Sequence, residues 1–412
     1  MTSPRIAPTI GKPDAARLVA AAAGLPELDP YWGPVAQSLE QAERLCGIGC
    51  NEDIAFVTSA PALQEIVLAR GHDRLLPPPG YLNGRPDCFP GFLGMWPSGA
   101  AALRGFVLPN AYYGLVADAP VAISAERKAV ASASSKFARL LHFYDYPLEP
   151  LLSDAPFIDG TVLALVDDVF GLNYCHWICD WLSRLAPFKN VLGRDDFFVL
   201  TSPLTTDWQR RTLELCGVSR DRMIAVQPWQ AVRARELITL SDISDIHHPM
   251  QKGAVWAMTF LRDRLLAPVA TEMGAGRRAA GRKIYVSRGD AGGRRVLNED
   301  ALMALLGRHG YEKVAPGELD FDAQAVLFAE ASHIVGIHGA GLTNIIFAPP
   351  YCRVIEILPR SYGTPAFCVL AGARGMPYYT YVEGAVTASS DSQADDITIN
   401  VADFARCAEV LL

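Results

Sequence analysis

The chain has 412 residues, 50% hydrophobic and 20% charged, with a formal net charge of −7. Such a composition describes a folded globular protein with enough length for two cores, and excludes a disordered chain. The acidic balance excludes non-specific nucleic-acid binding as the main role, and no apolar run reaches the roughly 18–20 residues of a membrane span.

Residues 1 to about 90 are rich in Pro and Gly and read as an irregular extension, broken at Pro77-Pro-Pro-Gly80. The run Ala15–Leu25 is short and carries Arg17, so it reads as an ordinary helix and not as a secretory signal. From about 104 to 240, strand-like runs (Phe106–Leu108, Val121–Ile123, Thr161–Val166, Phe197–Leu200, Met223–Val226) alternate with helix-like ones (Leu172–Phe188, Trp208–Cys216). Alternation of this kind predicts a mainly parallel sheet covered by helices.

The polar stretch Ser241–Gly253 is the expected linker, and a long helix over Val255–Leu266 follows it. Thr271–Arg282 is rich in Gly and Arg and reads as a loop. A second alternating unit has strands at Lys283–Ser287, Lys313–Val314, His333–Ile337, Val354–Leu358 and Tyr378–Tyr381. Its helices fall at Asn298–Gly307, Asp322–Ala331 and Leu342–Phe347, and Val401–Leu412 reads as a final helix. The domains expected are therefore 1–245, 246–385 and a tail at 386–412.

Three constellations carry chemistry. In Asn173–Leu185, His176, Asp180 and Arg184 recur every fourth residue and share one helix face, beside a stripe of Trp177 and Trp181. A histidine next to a carboxylate suits a general base acting on a hydroxyl, whereas the plain alternative is a surface ion pair of Asp180 with Arg184. In Lys283–Asp290, Arg288 stands at the carboxyl end of a strand, where open α/β sheets bind ligands, and a guanidinium there can grip phosphate. Arg294 and Arg295 follow it, and Asn298-Glu299 reads as a helix start.

The third constellation is His333–Asn344 with Val354–Leu358. Glycines at 336, 339 and 341 form a tight turn between a strand and a helix start. Such a turn lets a phosphate approach free N–H groups. Its residues His338, Gly339, Ala340, Gly341, Leu342, Thr343 and Asn344 are candidate donor-binding positions, and Glu356 on the next strand is placed to hold a ribose hydroxyl. The spacing is not the G-x-G-x-x-G of dinucleotide folds, and the chain lacks the G-x-S-x-G elbow of esterases that use a similar glycine loop. Asp320-Phe-Asp322 spells a metal-binding pair, but Asp322 reads better as a helix N-cap, and Asp167-Asp168 is ambiguous. No metal or cofactor is expected. The nine cysteines form no CxxC pair and are odd in number, so free buried thiols in a reducing cytoplasm are expected.

These blocks, in this order, resemble glycosyltransferase family 61. The family's Asn-Tyr-Tyr-His-Trp, Asp, Pro-Arg-Leu pattern is similar to Asn173–Leu185, with Cys175 and Ser183 as departures. Its Tyr-x-Ser-Arg, Arg and Asn-Glu pattern matches Tyr285, Ser287, Arg288, Arg295, Asn298 and Glu299. His-Gly-Ala-Gly-Leu-Thr-Asn and a later Ile-Glu match His338–Asn344 and Glu356, and Gln324 fits before an Ala-rich helix. The resemblance covers roughly 160–360.

The resemblance implies a GT-B fold, two Rossmann-like domains facing across a cleft. It also implies inverting, metal-independent transfer from a nucleotide sugar, most often UDP-linked, to a glycan or glycolipid hydroxyl. His176 and Asp180 would be catalytic, with Arg288, the 338–344 turn and Glu356 on the donor, and Asn173, Arg184 and Arg295 as further candidates. Surface polysaccharide or lipopolysaccharide synthesis in the bacterial cytoplasm, at the inner face of the membrane in some cases, is the expected setting. The alternative is a non-catalytic nucleotide-sugar-binding scaffold of the same fold.

Overall fold

The computed structural model describes residues 56–57, 64–69, 80–83, 103–116, 119–130, 133–134, 148–166, 173–240, 254–272, 281–360, 364–383 and 395–412. The expected helix at Ala15–Leu25, the linker at Ser241–Gly253 and the Asp167-Asp168 pair lie outside them.

The first sheet draws on β1 (Phe56–Val57), β2 (Gln64–Ala69), β4 (Leu103–Pro109), β5 (Tyr112–Val116), β6 (Ala119–Ile123) and β7 (Ala129–Val130), and β3 (Gly80–Tyr81) joins the second. After α1 (Leu148–Ser153) come β8 (Phe157–Ala164), a helical segment over 174–188, β9 (Phe197–Thr201), α2 (Asp207–Cys216), β10 (Met223–Ala225) and β11 (Gln230–Leu240). The ten strands run β1-β7-β6-β5-β11-β8-β9-β10, with β4 paired to β11 and β2. Only part of this sheet is parallel: β11, β8, β9 and β10 align, and β1 runs with β7, while β2, β4, β5 and β6 pair antiparallel. The expected mainly parallel sheet is therefore a mixed one. Its central strand, β11, escaped the sequence reading because Arg233, Arg235 and Glu236 interrupt its apolar run.

β8 lies between two parallel neighbours, and its end, Val162–Ala164, is apolar and buried, as a strand covered on both faces must be. α3 (Ala254–Glu272) follows, longer than the helix expected there and running into the expected loop.

The second unit contains β12 (Arg282–Val286), α4 (Glu299–Arg308), β13 (Tyr311–Val314), α5 (Phe321–Ala329), β14 (Ala331–Ile337), β15 (Arg353–Pro359), α6 (Ala366–Ala373), β16 (Tyr378–Glu383) and α7 (Val401–Ala408). Its sheet order is β13-β12-β14-β15-β16-β3, and every pairing is parallel. Chain order reverses between β12 and β14, the topological switch point where open α/β sheets leave a crevice beyond the strand carboxyl ends. Ser287-Arg288 follows β12 and His338-Gly339 follows β14, so the topology brings two of the three sequence constellations to one crevice.

The two sheets share one apolar core. Leu163, Trp177 and Ile178 from the first unit, Leu261 and Leu265 of α3, and Val286, Leu342 and Phe347 from the second belong to a single buried cluster. A separate cluster packs the far face of the second sheet against α4, α7 and Ile397, and the bridge Val296 to Ile397 ties the tail to that unit. The fold is α/β, with a Rossmann-like second sheet.

Candidate active site

The segment 174–188 is not the single α-helix expected. Tyr174–His176 is α-helical, Trp177–Trp181 is π-helical, and Leu182–Phe188 is a 3₁₀ helix. The Leu182 amide reaches back five residues to the Trp177 carbonyl. Wide turns of this kind are rare and gather at functional sites. Asn173 is the N-cap, its side-chain oxygen accepting from the amides of Cys175 (3.0 Å) and His176 (3.4 Å). Asn173 thus sets the start of the helix and supports the site from beneath it.

On this segment His176 Nδ1 and Asp180 Oδ2 are 2.6 Å apart. Asp180 is the buried partner, at 4% side-chain exposure against 18% for His176. The other carboxylate oxygen, Oδ1, is buried and makes no hydrogen bond among the described residues. The plain alternative, an ion pair of Asp180 with Arg184, is not what forms. Arg184 is buried, donates from Nε to the Asp180 main-chain carbonyl at 3.0 Å, and lays its guanidinium over Trp181 at 4.0 Å. It locks the wide turn and leaves the carboxylate to the histidine. Trp177 is likewise structural, donating from Nε1 to Thr212 at 2.9 Å.

At the switch point, Arg288 donates from Nε and Nη2 to the Gly293 carbonyl, both at 3.1 Å. Its Nη1 lies directly over Gly339: a β-carbon at that glycine would sit 1.9 Å from it. Gly339 is thus required for the close approach of Arg288. At Gly336 a β-carbon would meet Leu342 at 2.9 Å and Val286 at 3.0 Å, so this glycine serves helix-to-strand packing. The helix after the turn is a seven-residue 3₁₀ helix, Ala340–Ile346. It begins two residues earlier than expected, and Ala340 and Gly341 are its accessible residues, whereas Leu342, Thr343 and Asn344 are buried.

Burial corrects several roles read from the sequence. Asn344 is fully buried and accepts from the Tyr174 hydroxyl at 2.7 Å while donating to Gln324 at 2.8 Å and to the Gly341 carbonyl at 3.2 Å. It is a joint between the segment that carries His176 and the glycine turn, and its amide is not available to phosphate. Thr343 is also fully buried. A hydrogen bond from Cys179 holds the Cys175 thiol below its usual range against the effect of burial, and the neighbouring His176 adds to it. Glu356 has no exposed surface; its oxygens meet His338 Nδ1 at 2.6 Å and the Tyr378 hydroxyl. A ribose has no access to it.

Arg295 does not join the crevice cations. It pairs with Asp396 of the tail through Nη2 at 2.8 Å, and its backbone amide bonds the same carboxylate at 2.7 Å. Asn298 is bonded through both side-chain atoms to Ile399, at 2.8 and 2.9 Å. Glu299 does more than start a helix: it accepts from Ser287 at 2.6 Å and from Lys313. Burial pushes the pKa of this carboxyl up, but the bonds from Lys313 and Ser287 outweigh that and hold it below its usual range. Ser287 in turn accepts from the Gly289 amide at 3.0 Å, which shapes the loop behind Arg288. A shallow cavity of about 240 Å³ opens on this loop, lined by Gly289, Arg295, Val296, Leu297 and Glu299.

The Asp-x-Asp spelling has a structural use. Asp320, not Asp322, is the N-cap of α5, accepting from the Ala323 amide at 2.7 Å. Asp322 binds Arg211 of α2 at 2.8 Å and so ties the two units.

The arrangement can do two things chemically. A histidine oriented by a buried carboxylate can take a proton, and an arginine over a glycine turn can hold an anion. Tyr174 and Asn344 fasten the two halves together. Sequence reasoning missed this fastening, for which the only signal was their place inside motifs.

Residues 174–355 match the family model of Glycosyltransferase 61. That segment opens on Tyr174, includes the histidine–aspartate pair, Arg288 and the glycine turn, and closes one residue before Glu356. A beta-1,2-xylosyltransferase of Oryza sativa subsp. japonica is 32% identical over 227 residues, 53% of this chain and 36% of its own length. The EGF domain-specific O-linked N-acetylglucosamine transferase of Drosophila melanogaster is 33% identical over 95 residues, covering 21% of this chain and 17% of its own. A second beta-1,2-xylosyltransferase of the same rice subspecies is 40% identical over 68 residues, 16% of this chain and 14% of its own. The chain spans about a third or less of the length of these relatives. Together the family match and the relatives support a glycosyltransferase of family 61. These relatives are eukaryotic, and none of their names carries the bacterial capsular or lipopolysaccharide role expected from the sequence.

Proposed function

We propose that the protein is a glycosyltransferase that moves a sugar from a nucleotide sugar, UDP-linked in the first instance, to a hydroxyl of a glycan acceptor. The observation that carries this is the 2.7 Å hydrogen bond from Tyr174 to Asn344, because it joins a base-like pair to an anion-holding turn. Neither half alone would suit group transfer. Side by side they supply what displacement at an anomeric carbon needs: a proton acceptor for the incoming hydroxyl and a cradle for the leaving diphosphate.

In this reading His176 is the base and Asp180 orients it. Asp180 is the more buried of the two and engages Nδ1, which leaves Nε2 as the basic nitrogen. The acceptor oxygen attacks the anomeric carbon as its proton passes to His176. The bond from that carbon to the diphosphate breaks, and its electron pair leaves on the phosphate oxygen. Attack opposite the leaving group inverts the anomeric centre. Arg288 and the amides of Gly339–Gly341 offset the charge on the diphosphate, with protein groups in place of a metal ion. A seven-residue 3₁₀ helix adds only a small dipole, so the guanidinium carries most of this stabilisation.

The GT-B arrangement, with the first unit presenting the acceptor, belongs to the same proposal and is supported by the switch-point crevice of the second sheet. A reducing, cytoplasmic setting is supported by the six described cysteines, none in a disulfide among the described residues and five of them buried. Burial pushes the thiols of Cys216 and Cys352 up to about 12, which keeps them inert. Among the described residues no helix is long and apolar enough to cross a membrane.

The test is calorimetric titration with UDP, GDP, CDP, CMP and NAD, with and without EDTA, followed by product analysis with the bound donor class. Micromolar binding of one nucleoside diphosphate that survives EDTA, with sugar transfer to a hydroxyl, is the expected result. Binding without turnover on any acceptor would favour the scaffold reading, and NAD binding alone would overturn both.

A further inference from the structure

The loop that follows β12 holds three glycines in five residues, Gly289, Gly292 and Gly293. Glycine widens the choice of backbone conformation, so a loop of this make-up does not keep one shape unaided. Yet Arg288 takes its direction from that loop, because Nε and Nη2 both donate to the Gly293 carbonyl at 3.1 Å. One end of the loop is fixed within the second unit. The Ser287 hydroxyl donates to Glu299 at 2.6 Å and accepts from the Gly289 amide at 3.0 Å, and the Gly317 amide donates to Asp290 at 2.8 Å.

The other end is fixed by the tail. Arg294, directly after Gly293, has φ of 57°, in the left-handed region that residues with a β-carbon avoid. Such a backbone persists only where its surroundings hold it. Residues 396–399 supply the holding bonds. The Arg295 amide donates to Asp396 Oδ1 at 2.7 Å, and the Arg295 carbonyl accepts from the Ile397 amide at 2.9 Å. The Leu297 amide donates to the Ile397 carbonyl at 2.8 Å. Asn298 bonds both main-chain groups of Ile399, at 2.8 and 2.9 Å. Ile397 and Ile399 are themselves buried in the far-face cluster, and Asn400 caps α7 by accepting from the Asp403 amide at 3.1 Å. The tail is therefore a firm support, and the glycine-rich loop is the part that borrows its shape. The side-chain bond from Arg295 leads in holding the Asp396 carboxyl below its usual range, and the charge of Arg288 adds to it, so the acceptor stays ionised.

We propose that Asp396 and Asn298 are positioning residues, through which the tail fixes the Gly293 carbonyl and with it the direction in which Arg288 meets the donor's diphosphate. The ligand in this proposal rests on the nucleotide-sugar reading above, whereas the support of Arg288 by the tail does not. The half-exposed Arg295 side chain is dispensable to it, because the main-chain amide of that residue carries the contact.

The experiment reads UDP affinity by calorimetry and hydrogen exchange of the Arg288 Nε–H by nitrogen NMR, on the wild type, Asp396→Ala, Asp396→Asn and Asn298→Ala. Arg288→Ala assigns the Nε–H signal by its loss. In Asp396→Ala the Nε–H should exchange faster, and UDP should bind about three- to tenfold more weakly, a part of the loss caused by removing the guanidinium outright. Asp396→Asn keeps an acceptor for the Arg295 amide and should stay within about twofold of the wild type. Asn298→Ala removes the neighbouring pair of bonds and should act in the same direction as Asp396→Ala, so it decides the matter if that variant does not fold. In an Arg288→Ala background, Asp396→Ala should weaken UDP no further, since it acts through the guanidinium. Lower melting with unchanged Nε–H exchange and unchanged UDP affinity would make the tail a support of the fold alone and overturn the proposal. An equal loss of affinity with and without Arg288 would also overturn it, because Asp396 would then act on the donor by another route. Wild-type protein that binds no nucleoside diphosphate overturns the nucleotide-sugar reading, and the Nε–H exchange then still decides whether the tail holds Arg288.

Discussion

The substitution Gly339→Ala separates a packing glycine from a donor-site glycine. The added β-carbon would stand 1.9 Å from Arg288 Nη1, 2.9 Å from its Cζ and 3.2 Å from its Cδ. An ordinary contact begins at 3.4 Å, so the guanidinium must retreat by about 1.5 Å, the difference between those two distances. It cannot do so and keep both 3.1 Å bonds to the Gly293 carbonyl. The backbone itself is untroubled, because φ at Gly339 is 171°, an extended value open to alanine. The displaced atoms are the far end of a flexible side chain, so the cost to folding is small, about 1 kcal/mol or less. The cost to the donor site is larger. Losing a charge-assisted contact to phosphate is worth about 1.5–3 kcal/mol, or roughly 10- to 150-fold in affinity. The assay is UDP titration beside thermal unfolding. Arg288→Ala should weaken UDP by a similar factor, and the double variant should add little, since both changes remove one contact. Full UDP affinity in a well-folded Gly339→Ala protein would refute the donor-site reading. A large drop in melting temperature with proportionate loss of binding would instead make the turn a packing feature.

Other outcomes follow from the same geometry. His176→Ala should lower kcat by about 10²- to 10⁴-fold with UDP affinity unchanged, since a base acts in the transition state and not on the donor; equal loss of donor binding would count against the assignment. Asp180→Asn should retain more activity than His176→Ala and shift the pH–rate profile, because it alters the orientation and basicity of His176 without removing it. Arg295→Ala should leave UDP affinity within about twofold, as its partner is the partly buried tail carboxylate Asp396; a tenfold loss would place Arg295 back at the donor. For Glu299 the folded carboxyl lies below its ordinary value of 4.5, so its stabilisation is full above that pH and is lost as pH falls through the lower folded value. The melting difference between wild type and Glu299→Gln should therefore be constant at neutral pH and shrink in acid, and a difference that grows on acidification would contradict the sign.

The second sheet was legible because most of its strands are short apolar runs bounded by helix patterns, and five of its six were found within two or three residues. The first sheet was not. β11 mixes charges into a strand that is half exposed at its centre, and the antiparallel strands β5 and β6 are joined with no strong turn signal, so alternation over 104–240 pointed to a parallel sheet. β3 is two residues long and pairs with β16 almost 300 positions later, which no local pattern announces. That Arg288 and the glycine turn lie at one crevice follows from the topology, since each comes directly after one of the two strands at the switch point. Roles that depend on burial were not readable. The letters of Asn344 and Glu356 announce polar groups but not that tertiary packing encloses them.

Burial also changes how the motif residues relate to one another. Asn344 bridges Tyr174 and Gln324, so the position of the proposed base is set by a residue of the glycine turn. His338 meets Glu356, which also accepts from Tyr378, so the two following strands fix the orientation of its ring beside the glycine turn. The polar residues of the 338–356 stretch thus act less as a row of ligands than as the supports of Arg288, His338 and His176. Tyr174→Phe tests this coupling from the side away from the donor. It deletes one hydroxyl from a buried joint and leaves Asn344 with an unmet acceptor, a loss of about 1–3 kcal/mol. If the joint only stabilises the fold, melting falls and kcat per folded molecule holds. If it holds base and donor turn in register, kcat falls further than melting explains while UDP still binds, and that second pattern is the one the geometry requires.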